Sequence, residues 1–588
     1  MSHRGPGEAW IPGIHGRTYS GGPQIAAPSM KLHPASHLLG SVLLASAPAL
    51  AGDLFVDVSL TTGAGTGGSW ADAFQGPLGL KDALAVAVAG DRIFVAQGTY
   101  LPTDTGARTQ SFPLRDGVEL YGGCVGTELE PAERPPIGSA PTILSADLAG
   151  NDASGVITDN SYHVIRGFGV SASAVLDGFV VRGGFANGSG ASNDRGGGIL
   201  CTGGSNPTVR SCSFESNRCT FGGGAGYING SSPTFTDCQF LDNIGGSYGG
   251  AFDMATASGV RFDRCTFIGN SAARAGALEI FASSGIAVTN CIFRENVSTG
   301  SGGGGGLWLG SGGSTQVVNC TIVENQGTSS NIGGLYNQGA SVTLRNSILW
   351  GNMGPNGATN AVNQLSGAAA QYCLVQGGAS GSGNLSSDPA FVDAASGDLR
   401  LRGTSPAVDA GTNAALPAGI TLDAAGEPRV LDLWAVPNTG VGAGGVVDMG
   451  ALEVQASIGE PVACTPNANS TGAPSNLEAN GSPHLADDLL SFRVTGLPTG
   501  RFAYFVMAAS SGSTPVASGV LCLAPPLVRF SGAVLNSGPF GVVEFSPSLA
   551  ALPQNTTIAV GETWHFQLWH RDVGATSNFS DAVAVTWE

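Results

Sequence analysis

Lysine is nearly missing from this chain. Only Lys31 and Lys81 occur among 588 residues, and charged side chains of all kinds make up 12%, about half the usual share. Against 43 acidic residues stand 25 basic ones, a formal charge of −18. That balance repels a polyanion, so nucleic acid is excluded as a partner. A phosphate-cradling loop needs a lysine after its glycines, and no Gly-rich run here has one. Nucleotides are therefore excluded as well. Histidine is scarce: beyond residue 51 only His163, His484, His565 and His570 remain, without the HExxH spacing of a zinc protease. No cysteines are spaced CxxC, which argues against zinc. After Leu50 no apolar run reaches the length of a membrane helix. What the chain has in quantity is glycine, 92 residues, with an apolar fraction of 42%. There is no Gly-X-Y period, which excludes collagen, and the apolar share is enough to build a core.

The first 51 residues read as processing signals. Met30 opens a short basic stretch with Lys31, His33 and His37, an apolar run from Leu38 to Leu50, and small residues at Ala49-Leu50-Ala51. That order is a secretory signal peptide over 30–51. Residues 1–29 are polar and rich in Gly and Pro, and read as a mis-called upstream extension. Export implies a compartment that permits disulfides.

A repeat organises the middle of the chain. Cys212, Cys238, Cys265, Cys291 and Cys320 recur at intervals of 26, 27, 26 and 29 residues. Each is followed two residues on by a large apolar residue and five on by Asn217, Asn243, Asn270, Asn296 or Asn325. NSILWGN (346–352) is a looser sixth copy. Between these lies a second beat: GGGIL (196–200), GGAGY (223–227), GGAFD (249–253), AGALE (275–279), GGGLW (304–308) and GGLYN (333–337). Short alternating runs separated by Gly, Asn and Ser are a strand-turn pattern. A unit of about 27 residues cannot close a core alone. Stacked as turns of a coil, successive units pair in parallel about 4.8 Å apart. The crossovers of such a coil are right-handed. The expected fold is all-β: a right-handed, three-sheet parallel β-helix. Cys and Phe, two apart, point inward together, and the asparagines form an amide ladder while accepting a left-handed turn. The stacked cysteines are either reduced, valine-sized filler or strained cross-rung disulfides.

The alternation of GGA[ILV]-like and FxxN segments resembles the repeats of polymorphic outer membrane proteins, and more widely the secreted bacterial β-helix proteins of the pectate-lyase-like superfamily. SWADAF (69–74), DGVELYGG (116–123) and VLDGFVVRGG (175–184) resemble the opening of such proteins. SDPAFVD (387–393), DLRLRGTSPAVDAGT (398–412) and VDMGALE (447–453) resemble their closing segment. The resemblance spans roughly residues 53–455 and implies an architecture, not a chemistry. It departs from the outer-membrane group after Glu453, where too little chain remains for the usual membrane barrel. A β-helix is therefore expected over 52–455. Leu78, Leu80, Ala83, Leu84, Ala87 and Val88 mark a helix that covers its N-terminal end, and 388–453 covers the other.

Residues 456–588 change character after a Pro/Ser/Asn-rich linker. Alternating runs such as LLSFRVTGL (489–497) and WHFQLWHRD (564–572) indicate an antiparallel β-sandwich. Cys464 and Cys522 are its only cysteines and are expected to pair. CTPNANSTGAP and FQLWHRD resemble a module of secreted planctomycete-type proteins. Trp564, Trp569 and Trp587 are either its core or a sugar-stacking surface.

One column invites a catalytic reading. Aligning the glycine beats places Leu200, Tyr227, Asp253, Glu279 and Trp308 at one position on successive turns. Alternation from Phe252, Leu278 and Leu307 turns that column toward solvent. Asp253 and Glu279 would then be one strand spacing apart, near the carboxylate separation of a retaining glycosidase. Tyr227 and Trp308 could stack on sugar rings. The alternative is a solvated acidic face. Asp388, Asp393, Asp409, Asp423 and Asp448 form a second acidic set, suited either to a structural Ca²⁺ or simply to turns. No cofactor is required. The sequence thus indicates an exported protein of the extracellular space or outer cell surface. It is read as a non-enzymatic adhesion or envelope scaffold whose partner is a surface polysaccharide or protein. The alternative is a polysaccharide lyase or glycoside hydrolase using the column.

Overall fold

The computed structural model describes residues 51–588 apart from 191, 330 and 358. The expected upstream extension and all but the last residue of the signal segment lie outside the described residues.

Three long parallel sheets wind around one core. Sheet A has twelve strands, from Phe74–Gln75 and Asp53–Asp57 to Ala370–Gln371. Sheet B has ten, from Gly98–Tyr100 to Leu374–Val375, and sheet C nine, from Phe112–Pro113 to Leu365–Ser366. One turn runs through Gly226–Asn229 in sheet C, Thr234–Thr236 in sheet A and Gln239–Leu241 in sheet B. The next turn lies on it in register, with Phe235 opposite Phe262 and Phe240 opposite Phe267. The chain is a right-handed parallel β-helix.

The strands are short, most of them two to five residues, because each needs to turn only one or two side chains inward, as Phe240 in sheet B and Phe252 with Met254 in sheet C. Those inward residues stack. Phe240, Phe267 and Phe293 form a pile with ring centroids 4.8 and 4.6 Å apart, the last pair nearly coplanar at 2°. Phe235 lies on Phe262 at 5.0 Å in the neighbouring sheet. Such offset pairs add to the burial of their area.

The asparagine ladder is continuous. From Asn217 through Asn243, Asn270, Asn296 and Asn325 to Asn352, each backbone N–H and side-chain Nδ2 donates to the Oδ1 of the next turn's asparagine at 2.8–3.1 Å. Gln364 takes the place of the next asparagine and ends the file, its Oε1 accepting from Asn352. Each Nδ2 also donates to a carbonyl of the turn before, for example Phe240 for Asn270. All six are fully buried. The left-handed residue is not the asparagine, as expected, but the one before it: Ser216, Asp242, Glu295 and Glu324 have φ of 54–57°. The amide has to face inward, so the preceding residue makes the corner.

The periodic cysteines sit at the corner between sheets A and B as free, buried thiols. Cys238, Cys265 and Cys291 donate to carbonyls of the preceding turn, Val209, Phe235 and Phe262, at 3.5–3.7 Å. Burial holds the thiols of Cys212, Cys238, Cys265 and Cys291 well above their ordinary range, so none is a ready thiolate. A thiol reagent added to the native protein should label none of the nine free cysteines, and all nine after unfolding without reductant. Labelling of any ladder cysteine in the native state would show an open coil.

At the N-terminal end helix α1, Gly79–Val86, buries Leu80, Ala83 and Leu84 on the core. It spans only Gly79–Val86: of the expected apolar face Leu78 precedes it and is half-buried, Ala87 caps it and stays buried, and Val88 lies beyond it and is exposed. The closing segment does not simply cover the other end. Asn290 Nδ2 donates to Leu422 O, Asn346 Nδ2 to Thr412 O, and Ala451 N to Thr321 Oγ1. It lies along the sheet A–B corner of the last turns, because the side chains that turn that corner offer amides and hydroxyls to its backbone.

Residues 476–588 form antiparallel sheets around Phe492, Phe505, Phe566 and Trp587. Cys464 is bonded to Cys522 with Cα atoms 5.7 Å apart. Trp587 is core; Trp564 and Trp569 are half-buried, the latter against Tyr504 with ring centroids 4.7 Å apart and planes tilted by 33°. The module is tied to the closing segment by Gly403 N donating to Asp487 Oδ2 and Trp434 N to Asn480 Oδ1.

Candidate functional site

The predicted column exists in register but does not face solvent. Leu200, Tyr227, Asp253, Glu279, Trp308 and Tyr336 pair one to the next along sheet C. Tyr227, Asp253, Glu279 and Trp308 are only 3, 4, 1 and 2% exposed. The corner between sheets B and C folds over them. Arg195 stacks on Phe221 at 3.9 Å and donates to the Tyr227 hydroxyl at 3.1 Å. Arg274 lies between Tyr248, at 4.4 Å, and Trp308, at 3.9 Å, and pairs with Glu279. Phe221 and Tyr248 meet edge to face at 4.9 Å. Asp253 is pressed against the Gly222 backbone, where a Cβ would collide with its carboxylate. Asp253 and Glu279 therefore do not form an open catalytic pair, and Tyr227 and Trp308 offer no free ring face. Alternation correctly turned the column away from the core, but it says nothing about a second layer. The signal was in the residues ahead of the glycine beats, Arg195, Phe221, Tyr248 and Arg274, which are long enough to cover the next turn.

Burial governs the electrostatics of this layer. It pushes Asp253 up to about 6 against the pull of Arg195 and Arg274. It pushes Glu279 up to about 7, opposed by the Arg274 hydrogen bond and reinforced by the Asp253 charge. Glu279 Oε2, Arg274 Nε and Trp308 Nε1 are buried without a partner.

The closing-segment acids are separated in the same way by what they touch. Asp388 and Asp393 stay at the surface and accept from their own turns, from Ala390 N and Ser396 N. Asp423 accepts from Ala425, Glu427 and Glu453 N–H groups. Asp448 accepts from Asp409 and Val454 N–H groups. Glu453, which sequence reading missed, forms a fully buried pair with Arg429 at 3.1 Å. Burial raises Asp409 to about 7 and Asp448 well above its ordinary range, the latter reinforced by Glu453. The five aspartates do not assemble into one ligand set: backbone N–H groups donate to Asp388, Asp393, Asp423 and Asp448, while Asp409 accepts only from Leu433 N and its Oδ1 is buried without a partner. Among the described residues no three Asp, Glu, His or Cys side chains gather into a metal-holding group.

An open groove lies elsewhere. Between the outer face of sheet B and residues 388–402 is a cavity of about 920 Å³ lined by Trp350, Phe391, Arg294, Glu324, Asp388 and Arg402, among others. Trp350 and Phe391 are half-buried, their inner sides on a core cluster. Arg294 pairs with Glu324 at 2.8 Å and crosses to the closing segment at Gly397, where φ of 91° and the guanidinium leave no room for a Cβ. Trp350 occupies the outward position that Arg294 and Val323 hold on the two turns before. An outward Trp in the looser repeat NSILWGN was the available signal.

The family described as "Right handed beta helix region" matches residues 139–322 and 198–373. No curated protein matches in sequence. Among solved structures, a pectate lyase, Pel9A, is similar at 13% identity and a TM-score of 0.37, covering 68% of this chain and 96% of that one. A rhamnogalacturonan lyase is similar at 13% identity and a TM-score of 0.32, covering 60% and 93%. Among the described residues no helix is long and apolar enough to cross a membrane.

Proposed function

We propose that this is an exported or cell-surface β-helix protein that acts as a non-enzymatic adhesion or envelope scaffold and holds glycan in the groove at Trp350 and Phe391. The groove carries the reading. It sets Trp350, with the paired Arg294 and Glu324, on the outer face of sheet B opposite Phe391 of the closing segment, which is how an apolar sugar face and its hydroxyls are held together. The buried carboxyls are shut behind Arg195 and Arg274, which favours binding over turnover. The second reading, a polysaccharide lyase or glycoside hydrolase, is favoured by one observation: Asp253 and Glu279 titrate near neutrality, as acid–base groups do.

A panel of neutral and acidic polysaccharides separates the two. Trp350→Ala should weaken retention of the bound glycan about tenfold or more, with Asp253→Asn and Glu279→Gln binding as the parent does. Undiminished retention by Trp350→Ala would reject the groove. Release of reducing or unsaturated ends that vanishes in Asp253→Asn would replace the scaffold with the enzyme.

A further inference from the structure

A second, unrelated loop carries an unbalanced set of oxygens. Residues 147–160 leave sheet B after Thr142–Ser145 and return toward sheet C. The excursion contains Asp147, Asn151, Asp152, Asp159 and Asn160, and no basic residue. Asp147 shapes its turn: Oδ1 accepts from Asn151 N at 3.0 Å and Oδ2 from Asp152 N at 3.1 Å. Asn160 reaches across it. Its Nδ2 donates to the Asp152 carboxylate at 3.0 and 3.2 Å and to Gly183 O at 2.6 Å.

The remaining oxygens have no donor. Asn160 is 1% exposed, and its Oδ1 is buried without a partner on the amide whose Nδ2 holds the Asp152 carboxylate. Both carboxylate oxygens of Asp159, and Oδ1 of Asn151, are likewise buried and unpartnered. A buried carboxylate without donor or counter-charge is costly. Four such oxygens from three side chains of one loop are more than turn formation explains, since a turn-forming Asp or Asn spends its oxygen on a nearby N–H. Asp147 does so; Asp159 does not.

We propose that this loop is a Ca²⁺ site, with Asp159, Asp152 and the amide oxygens of Asn151 and Asn160 as ligands. The chemistry selects a hard cation. All the ligands are oxygens, two are neutral amides, and the loop offers neither thiol nor imidazole. The ion would cancel the repulsion among the three aspartates and pin the excursion at its two ends. The same loop forms one wall of a groove of about 880 Å³ that also includes Arg182 and Arg218, so the ion would fix that wall as well.

Tb³⁺ luminescence sensitised by the adjacent Tyr162, and calorimetry with CaCl₂ on the full secreted chain stripped with EDTA, test the site. The parent should bind with a dissociation constant of about 10⁻³ M or tighter, the range of extracellular modules. Asp159→Asn should weaken binding at least tenfold, with an unchanged circular dichroism spectrum. Asp388→Asn/Asp393→Asn should leave binding intact. If Asp159→Asn does not fold, Asn151→Ala, on the half-buried rim, carries the test with an expected loss of at least threefold. No uptake at about 10 mM Ca²⁺, or unchanged affinity in a folded loop variant, overturns the proposal.

Discussion

Asn270→Ala is expected to destabilise the coil by about 3–5 kcal/mol, because it orphans several buried groups together. Asn270 Oδ1 receives both the N–H and the Nδ2 of Asn243, while its own Nδ2 serves Phe240 O and Asn296 Oδ1. Alanine leaves the Asn243 N–H without a partner, takes one acceptor from Asn243 Nδ2, and takes one donor each from Phe240 O and Asn296 Oδ1, all in a position closed to water. The file runs from Asn217 to Gln364, so the loss lies mid-ladder, where neighbouring turns cannot fray to compensate. Asn270→Asp should also be unstable at neutral pH, since a buried carboxylate repels Phe240 O, and should recover in part on acidification as the acid regains a donor. Chemical denaturation followed by circular dichroism measures both. A cost below about 1 kcal/mol for the alanine variant, the net worth of one ordinary hydrogen bond, would mean that the ladder is decorative.

Acid should relieve the Asp253–Glu279 layer, a contribution opposite in sign to that of His163, which burial lowers to about 4. Burial raises the two folded carboxyls from 3.8 to about 6 and from 4.5 to about 7. The folded state therefore holds protons that the unfolded chain has released. Its advantage is fullest below the unfolded values and is lost as pH rises through the folded ones, from about 4 to about 7. Each shift corresponds to roughly 3 kcal/mol at its upper bound. Asp409, at about 7, and Asp581, at about 6, act with the same sign. Glu279→Gln isolates one contribution: it should be more stable than the parent at pH 8 and no more stable near pH 4. Urea midpoints at these two pH values decide it, and a parallel pair of curves would refute the buried layer. The Arg274 side chain retains its stacking on Tyr248 and Trp308 in that variant, so the comparison reads the carboxyl rather than a collapsed corner.

These results trace to two kinds of information in the chain. The coil follows from the sequence alone. A spacing of about 27 residues in which Cys, Phe and Asn recur together has one economical solution, stacking like on like, and the registers of Phe240 on Phe267 and of Asn243 on Asn270 follow from the repeat. The Cys464–Cys522 pair and the α1 cap were legible because few partners or few faces were available. Which surface is open was not legible. Periodicity reports whether a side chain points toward the coil axis, and for Asp253 and Glu279 it correctly said that they do not. Whether Arg274 from the same turn then lies over them depends on how a corner folds in three dimensions. Trp350 stays half-accessible because the 394–397 stretch of the closing segment crosses two turns away, at Arg294. Stacking is a property of the repeat and is written in its spacing, whereas covering depends on how a corner folds, as where Arg274 lies over Glu279 five residues on, and on where a distant segment crosses, as Gly397 does at Arg294, and only the tertiary structure decides both.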